Sequence, residues 1–316
     1  MGQNPQRVVM TIACNVRKLR VVLFLIMSQI MSFAAADEAS EHPSADVAGQ
    51  KAGEIRELTD LKIPFCWCPP GKFRMGSAET DPESKVTEPR AVEVELTHGF
   101  WIGRTEVTRQ FYNAVEKDVK RPLPWQRRPW EGEVPVSPGK PASEVNWEYA
   151  NLFCDDLNAR ERMGNRLPDG WHYSLPTAAE WEYACRAGTT TRFSFGDDDG
   201  DLDRYGWTDN RGNDIQGDAP RDVAMKLPNQ WGLFDMHGNV KECTLDVESR
   251  VLPGGVNPWS TVEEMEVQTR IVQKGGCWTS KNRNCRSAAV KTEYYQHAYP
   301  SDGFRIVLRQ DTSLKR

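Results

Sequence analysis

Apolar residues recur with two different periods along this chain, and the change of period marks its elements. Phe65–Ser77 (FCWCPPGKFRMGS) alternates apolar and polar positions around Pro69-Pro70-Gly71, which predicts two short strands and a turn. Val92–Val107 (VEVELTHGFWIGRTEV) is also β-rich. The period then lengthens. Thr108 has N-cap chemistry ahead of a short helix with Phe111 and Val115 on its inner face. Asn146 opens a better helix, in which Trp147, Ala150, Cys154 and Leu157 form one buried stripe. Leu175–Gly188 (LPTAAEWEYACRAG) predicts a third: Thr177 and Glu180 make a T-x-x-E capping box, Trp181, Ala184 and Cys185 face inward, and Gly188 stops it. Ile271–Trp278 (IVQKGGCW) predicts a strand running into a double glycine, and Gly303–Leu308 (GFRIVL) a closing strand.

The segments between these elements are long. Val119–Pro141, with six prolines and two tryptophans, predicts loop, its Arg127-Arg128 pair solvated. The acidic run Phe195–Asp203 lacks the ordered spacing and closing Glu of an EF-hand and predicts a solvated turn. Val251–Met265 is an excursion. The densest stretch is Leu227–Glu242 (LPNQWGLFDMHGNVKE), where Gly232 and Gly238 permit unusual backbone angles and Asp235 and Glu242 bracket a loop with carboxylates. Such oxygens suit a hard cation such as Ca²⁺. Glu180 and Glu182 do not form an acid–base pair, because the cap explains Glu180 and positions two apart on a helix do not share a face. Cys66 and Cys68 read as core or edge side chains on one strand face rather than as a metal site.

Composition changes the picture in three places. The chain has 316 residues, with 11 Trp, 24 Gly and 20 Pro, which points to an aromatic core and much ordered loop. Its net charge of −5 gives no general affinity for nucleic acid. Arg7, Arg17, Lys18 and Arg20 precede an apolar run, Val21–Phe33, and then Ala34-Ala35-Ala36, the pattern of a signal peptide over 1–36. The run is short and carries Ser28, Gln29 and Ser32, which favours cleavage over anchoring, and Met10 is an alternative start. A polar linker over 37–60 and a domain over 61–310 follow, with 311–316 as a tail. Seven cysteines lie beyond the leader: Cys66, Cys68, Cys154, Cys185, Cys243, Cys277 and Cys285. In an oxidising compartment some should pair, and an odd number leaves at least one over.

The blocks FRMGS (73–77), WIGRTEVT (101–108), VNWEYANLFC (145–154), LPTAAEWEYACRAG (175–188), PNQWGLFDMHGNVKE (228–242), GGCW (275–278), CRSA (285–288) and GFR (303–305) together resemble the sulfatase-modifying-factor family, whose best-known member is the formylglycine-generating enzyme. The resemblance runs from about Phe65 to Leu308. It implies a single α+β domain related to C-type lectins, with little regular secondary structure and bound structural Ca²⁺. The family's calcium ligands fall on the side chains of Asp235 and Glu242 and the carbonyls of Gly238 and Val240. A second family site would involve Asn210, where the following segment matches poorly.

The family's enzyme oxidises a sulfatase cysteine to formylglycine with O₂ and copper, two cysteines holding Cu⁺, a soft ion that thiolates suit. Those positions are Ser280 and Cys285 here, so the pair is incomplete. The serine of the family's GGS is Cys277, which raises the idea that Cys277 and Cys285 replace the pair; the alternative is that Cys277 packs or forms a disulfide. The family tryptophan at 241 is Lys241, and the arginine opening its RLPT motif is Ser174. The family cysteines that bond those at the positions of Cys154 and Cys185 are Val290 and Ile306, leaving a Cys185–Cys285 bond open as an alternative. Two functions follow as expectations. One is a secreted or periplasmic oxidoreductase of the formylglycine-generating type, acting on a sulfatase polypeptide. The other is a non-catalytic, calcium-stabilised binding or accessory module for an extracytoplasmic protein, with 119–141 and 251–265 as surfaces. Either is expected to be monomeric, and free of the membrane once the leader is cleaved. The spacing of the five histidines does not supply the iron ligands of the family's sulfoxide synthases, and no G-x-S-x-G occurs.

Overall fold

The computed structural model describes residues 47–78, 81, 82, 84, 90–116, 137–209 and 219–310. The leader, most of the Pro/Trp-rich loop with Arg127 and Arg128, Asn210 and the tail at 311–316 lie outside the described residues.

Among the described residues, twelve strands and four α-helices follow one another. They are β1 (Ile55–Glu57), β2 (Pro64–Cys68), β3 (Gly71–Met75), β4 (Val92–Leu96), β5 (Phe100–Gly103), α1 (Arg109–Glu116), α2 (Trp147–Met163), β6 (Trp171–Ser174), α3 (Ala178–Arg186), α4 (Leu202–Tyr205), β7 (Lys241–Val247), β8 (Gly255–Val256), β9 (Arg270–Lys274), β10 (Lys291–Tyr294), β11 (Asp302–Gly303) and β12 (Val307–Gln310). Most are short, and β1 lies inside the stretch expected to be linker. A five-stranded antiparallel sheet has the order β1-β2-β5-β12-β6, so the last strand among the described residues sits in its interior. A four-stranded sheet, β10-β9-β7-β11, carries the 241–247 strand, and β3-β4-β8 form a third. β8 is a two-residue strand within the 251–265 excursion, too short for its sequence to announce.

Two cores result. β2 separates them by strand alternation: Phe65 and Trp67 enter a cluster with α1 and α2, while Cys66 and Cys68 enter a second with α3. The C-x-C pair is therefore core packing on one strand face. The α1 cap forms as expected, Phe111 N–H donating to Thr108 Oγ1 at 3.2 Å. In α2, Asn146 caps the Tyr149 N–H at 2.9 Å, and Ala150, Phe153, Cys154 and Leu157 are buried, with Trp147 half-buried at the end of the stripe.

The Thr177–Glu180 capping box of α3 is complete in both directions. The left-handed turn that ends α3 begins at Ala187 (φ 48°), one residue before Gly188. Every residue of α3 is buried, so each carboxylate carries a cation: Glu180 takes Arg309, and Glu182 takes Arg186 at 2.8 Å and Lys274 at 3.0 Å.

The expected cysteine pairing is not found. All seven cysteines among the described residues are free thiols and buried. Cys154 shares its core cluster with Ile306, and Cys185 shares the other with Val290. Apolar side chains thus fill the places where crosslinking partners would stand. Burial pushes the Cys66, Cys185 and Cys243 thiols up to about 12, which makes them inert packing groups.

Candidate functional site

The stretch 227–240 is a loop held from both sides, and it runs into β7 at Lys241. Asp235 and Asn239 adopt left-handed backbone (φ 56° and 62°), and Gly238 lies at φ 144°. A Cβ on Gly238 would stand 2.1 Å from the Trp207 carbonyl oxygen, so only glycine fits. Asn239 accepts the Arg221 N–H at 2.9 Å, and its own N–H donates to Trp207 O at 2.9 Å. His237 is fully enclosed; burial pushes its pKa down to about 4 and keeps the imidazole neutral. Its Nε2 accepts from the Ser194 N–H at 3.1 Å, which assigns the proton to Nδ1, donating to Cys285 O at 2.8 Å. His237 therefore fixes the backbone at Cys285.

The expected catalytic positions come together. After β9, Gly275 and Gly276 (φ 86° and 71°) turn the chain so that Trp278 N–H meets Asn239 O at 2.9 Å. A Cβ at Gly276 would lie 2.5 Å from Cys285 Sγ, which places that sulfur against the glycine backbone. Cys277 Sγ stands 3.3 Å from Ser280 Oγ and 3.2 Å from Thr279 Oγ1, and Cys277 N–H donates to Ser280 Oγ at 3.0 Å. The Ser280 hydroxyl is thus engaged with Cys277. Cys285 is completely buried, and burial first, then the neighbouring Cys277 sulfur, push its thiol up.

Lys241, at the start of β7, stands close enough to the same turn for Cys277 to act on its charge. Its Nζ lies 2.7 Å from Asp302 Oδ1 and over the Tyr299 ring. Burial opposes its charge, but the Asp302 carboxylate outweighs that and raises its pKa above the ordinary value. Sequence singled out Lys241 but not Asp302, which β11 delivers from 61 positions away by parallel pairing with β7.

The calcium question turns on a second cluster behind the loop. Asp235 accepts the Ala224 N–H at 2.7 Å on Oδ2, while its buried Oδ1 has no hydrogen-bond partner among the described residues. Glu106, also buried, leaves Oε1 without one. Glu242, expected as the other side-chain ligand, gives its oxygens to Arg305 Nε at 2.5 Å and Nη2 at 2.7 Å, and accepts the Trp181 indole N–H at 2.7 Å. Burial first, then Asp235 and Glu242, hold Glu106 well above the carboxylate range; burial also pushes Asp235 up to about 6. Three buried carboxylates thus surround one guanidinium. No group of three or more His, Cys, Asp and Glu side chains suited to a metal is found among the described residues. Asp235 offers a free oxygen to a hard ion, whereas Glu242 is committed to Arg305. Cu⁺ fits less well: position 280 supplies a hydroxyl, a poor donor for a soft ion.

This loop-rich architecture and its motif loops define a formylglycine-generating-enzyme-like fold of the C-type lectin kind. Comparison makes the assignment specific: the Sulfatase-modifying factor enzyme 1-like domain model matches residues 57–310, and the chain belongs to that family. It is 28% identical over 232 residues to the formylglycine-generating enzyme of Mycobacterium tuberculosis, covering 60% of this chain and 74% of the relative. It is 24% identical over 246 residues to the chaperone protein LppX of Paenibacillus barcinonensis, covering 66% and 79%. Among solved structures, PvdO from Pseudomonas aeruginosa superposes with a TM-score of 0.70 at 22% identity, covering 83% of this chain and all of that one. Treponema denticola variable protein 1 gives 0.64 at 21%, covering 81% and 98%.

Proposed function

We propose that this chain is a binding or accessory module for an extracytoplasmic polypeptide, built on the sulfatase-modifying-factor fold without its copper-dependent oxidation. One observation carries the reading: Ser280 stands where a thiolate would be needed, with its hydroxyl engaged by Cys277, and the remaining thiol of Cys285 is sealed from solvent. The Lys241–Asp302 ion pair supports it by placing charge beside Cys277 at a position where the enzyme carries an aromatic ring. The chaperone name of one relative is in keeping with it. The leader pattern supports export, and Asp235, with the carbonyls of Gly238 and Val240, is the proposed seat of a structural Ca²⁺. A sulfatase polypeptide is the first partner to test.

A second reading has its own observation. Cys277 and Cys285 are both free and meet at one turn, so they could together serve an oxidase of the formylglycine type. The deciding experiment incubates the protein, with and without Cu⁺ and O₂, with an unfolded sulfatase segment containing the target cysteine. Binding by calorimetry and formylglycine by mass spectrometry are both followed. The accessory reading expects binding without conversion by the wild type. Conversion by the wild type overturns it, and loss of that conversion in Cys277→Ala establishes the second reading.

A further inference from the structure

A cavity of about 330 Å³ opens beside Leu245 and Val247 of β7, away from Lys241 at that strand's start, and Cys277, Ser280 and Cys285 are not among its lining residues. That volume is near the lower end of small-molecule sites, about 300–1,000 Å³. Its lining includes Trp147 and Asp155 from α2 and Trp259 and Glu263 from the 259–265 segment. Half-buried Leu245 and Met265 line its interior and pack on the main core. The Trp147 indole N–H is spent on Thr244 O at 2.9 Å, so the side chain offers the cavity its ring carbons. Asp155 and Glu263 have no hydrogen-bond or ion-pair partner among the described residues. Arg309 reaches the lining but is neutralised by Glu180 from outside it. Aromatic walls with uncompensated carboxylates select cations, because ring quadrupole and carboxylate both attract positive charge.

We propose that this cavity binds a small organic cation, an ammonium or guanidinium on an apolar body, between Trp147 and Trp259 with its charge toward Asp155 and Glu263. The site goes beyond the accessory role and does not depend on it. It also gives the 251–265 excursion a purpose, since two of the four groups holding the ligand come from that segment.

The test titrates the full protein with phenethylammonium and with its neutral isostere 2-phenylethanol, following heat and tryptophan fluorescence. Saturable one-to-one binding of the cation is expected, weakening as salt rises. Two partly exposed ion pairs together are worth on the order of a tenfold change in Kd, so Asp155→Asn/Glu263→Gln weakens the cation about tenfold and leaves 2-phenylethanol unchanged. Both carboxylates are exposed, and unchanged melting would confirm that the double variant folds. Trp259→Ala weakens both ligands. Ser280→Cys leaves both affinities unchanged, which separates this site from the turn bearing Cys277. Absence of saturable cation binding overturns the proposal, as does equal affinity for the alcohol or for the double variant.

Discussion

Arg305→Met is the sharpest perturbation of this fold. Arg305 is fully buried and is the counter-charge that Glu242 holds with two hydrogen bonds; it also donates to Gly103 O at 3.1 Å and Phe234 O at 3.0 Å. Methionine fills much of the same space, so the loss is chiefly electrostatic. Breaking one side of a buried ion pair costs about 3–5 kcal/mol, because the abandoned charge stays desolvated. Asp235 lies in the same cluster, and its carboxylate, pushed up only to about 6, adds repulsion at neutral pH once the guanidinium is gone. In a domain of this size each kcal/mol lowers Tm by about 2–4 °C, so a fall of about 6–20 °C is expected. Differential scanning calorimetry at neutral pH with a chelator present reads it directly. The double variant Arg305→Met/Glu242→Gln removes the stranded charge while keeping an acceptor for Trp181, and should recover more than half of the loss. If the double variant is no more stable than the single, charge is not the cause and the reasoning fails.

The remaining predictions are smaller in scope. His237 has its folded pKa depressed from 6.5 to about 4, so the unfolded state binds more protons and stability falls as pH drops through that window. Asp246, raised from 3.8 to about 6 by burial against the Ala178 and Ser260 N–H bonds, does the opposite: its contribution is complete below 3.8 and is lost as pH rises through 6. Urea melts across this range should therefore show His237→Gln and Asp246→Asn removing slopes of opposite sign. Gly238→Ala, forced against Trp207 O at an unfavourable φ, should cost about 2 kcal/mol or more by the same melts. Adding Ca²⁺ to chelator-treated protein should raise Tm in the wild type and not in Asp235→Asn; an equal rise in both would place the ion elsewhere.

Local grammar was legible because its partners are close in sequence. The Thr177–Glu180 box spans three positions, and Asn146 and Thr108 cap helices whose first turns they touch. Family blocks carried the fold. What could not be read is whatever long-range pairing decides. Glu106 meets Asp235 and Glu242 across more than a hundred positions, and no pattern around Glu106 marks it as buried. Arg305 sits inside the GFR block, yet its partner cannot be inferred from the block alone. The thiols illustrate the same limit: an oxidising compartment predicts pairing, but Ile306 and Val290 show that packing replaced it.

The 227–242 stretch takes its meaning from those distant pairings. Asp235 and Glu242 looked equivalent, two carboxylates bracketing one turn. Their environments divide them, because Glu242 faces Arg305 and Trp181 whereas Asp235 meets one backbone N–H and is left with an open oxygen. Beyond them, His237 locks the Cys285 carbonyl and Asn239 O holds the Trp278 N–H. The loop thus sets the geometry of the turn bearing Cys277 and Ser280 without supplying a reacting group. Lys241 stands near that turn, and Asp302 claims its charge. A frame held this firmly fixes the turn through backbone and buried contacts, so its shape does not depend on the side chain at residue 280.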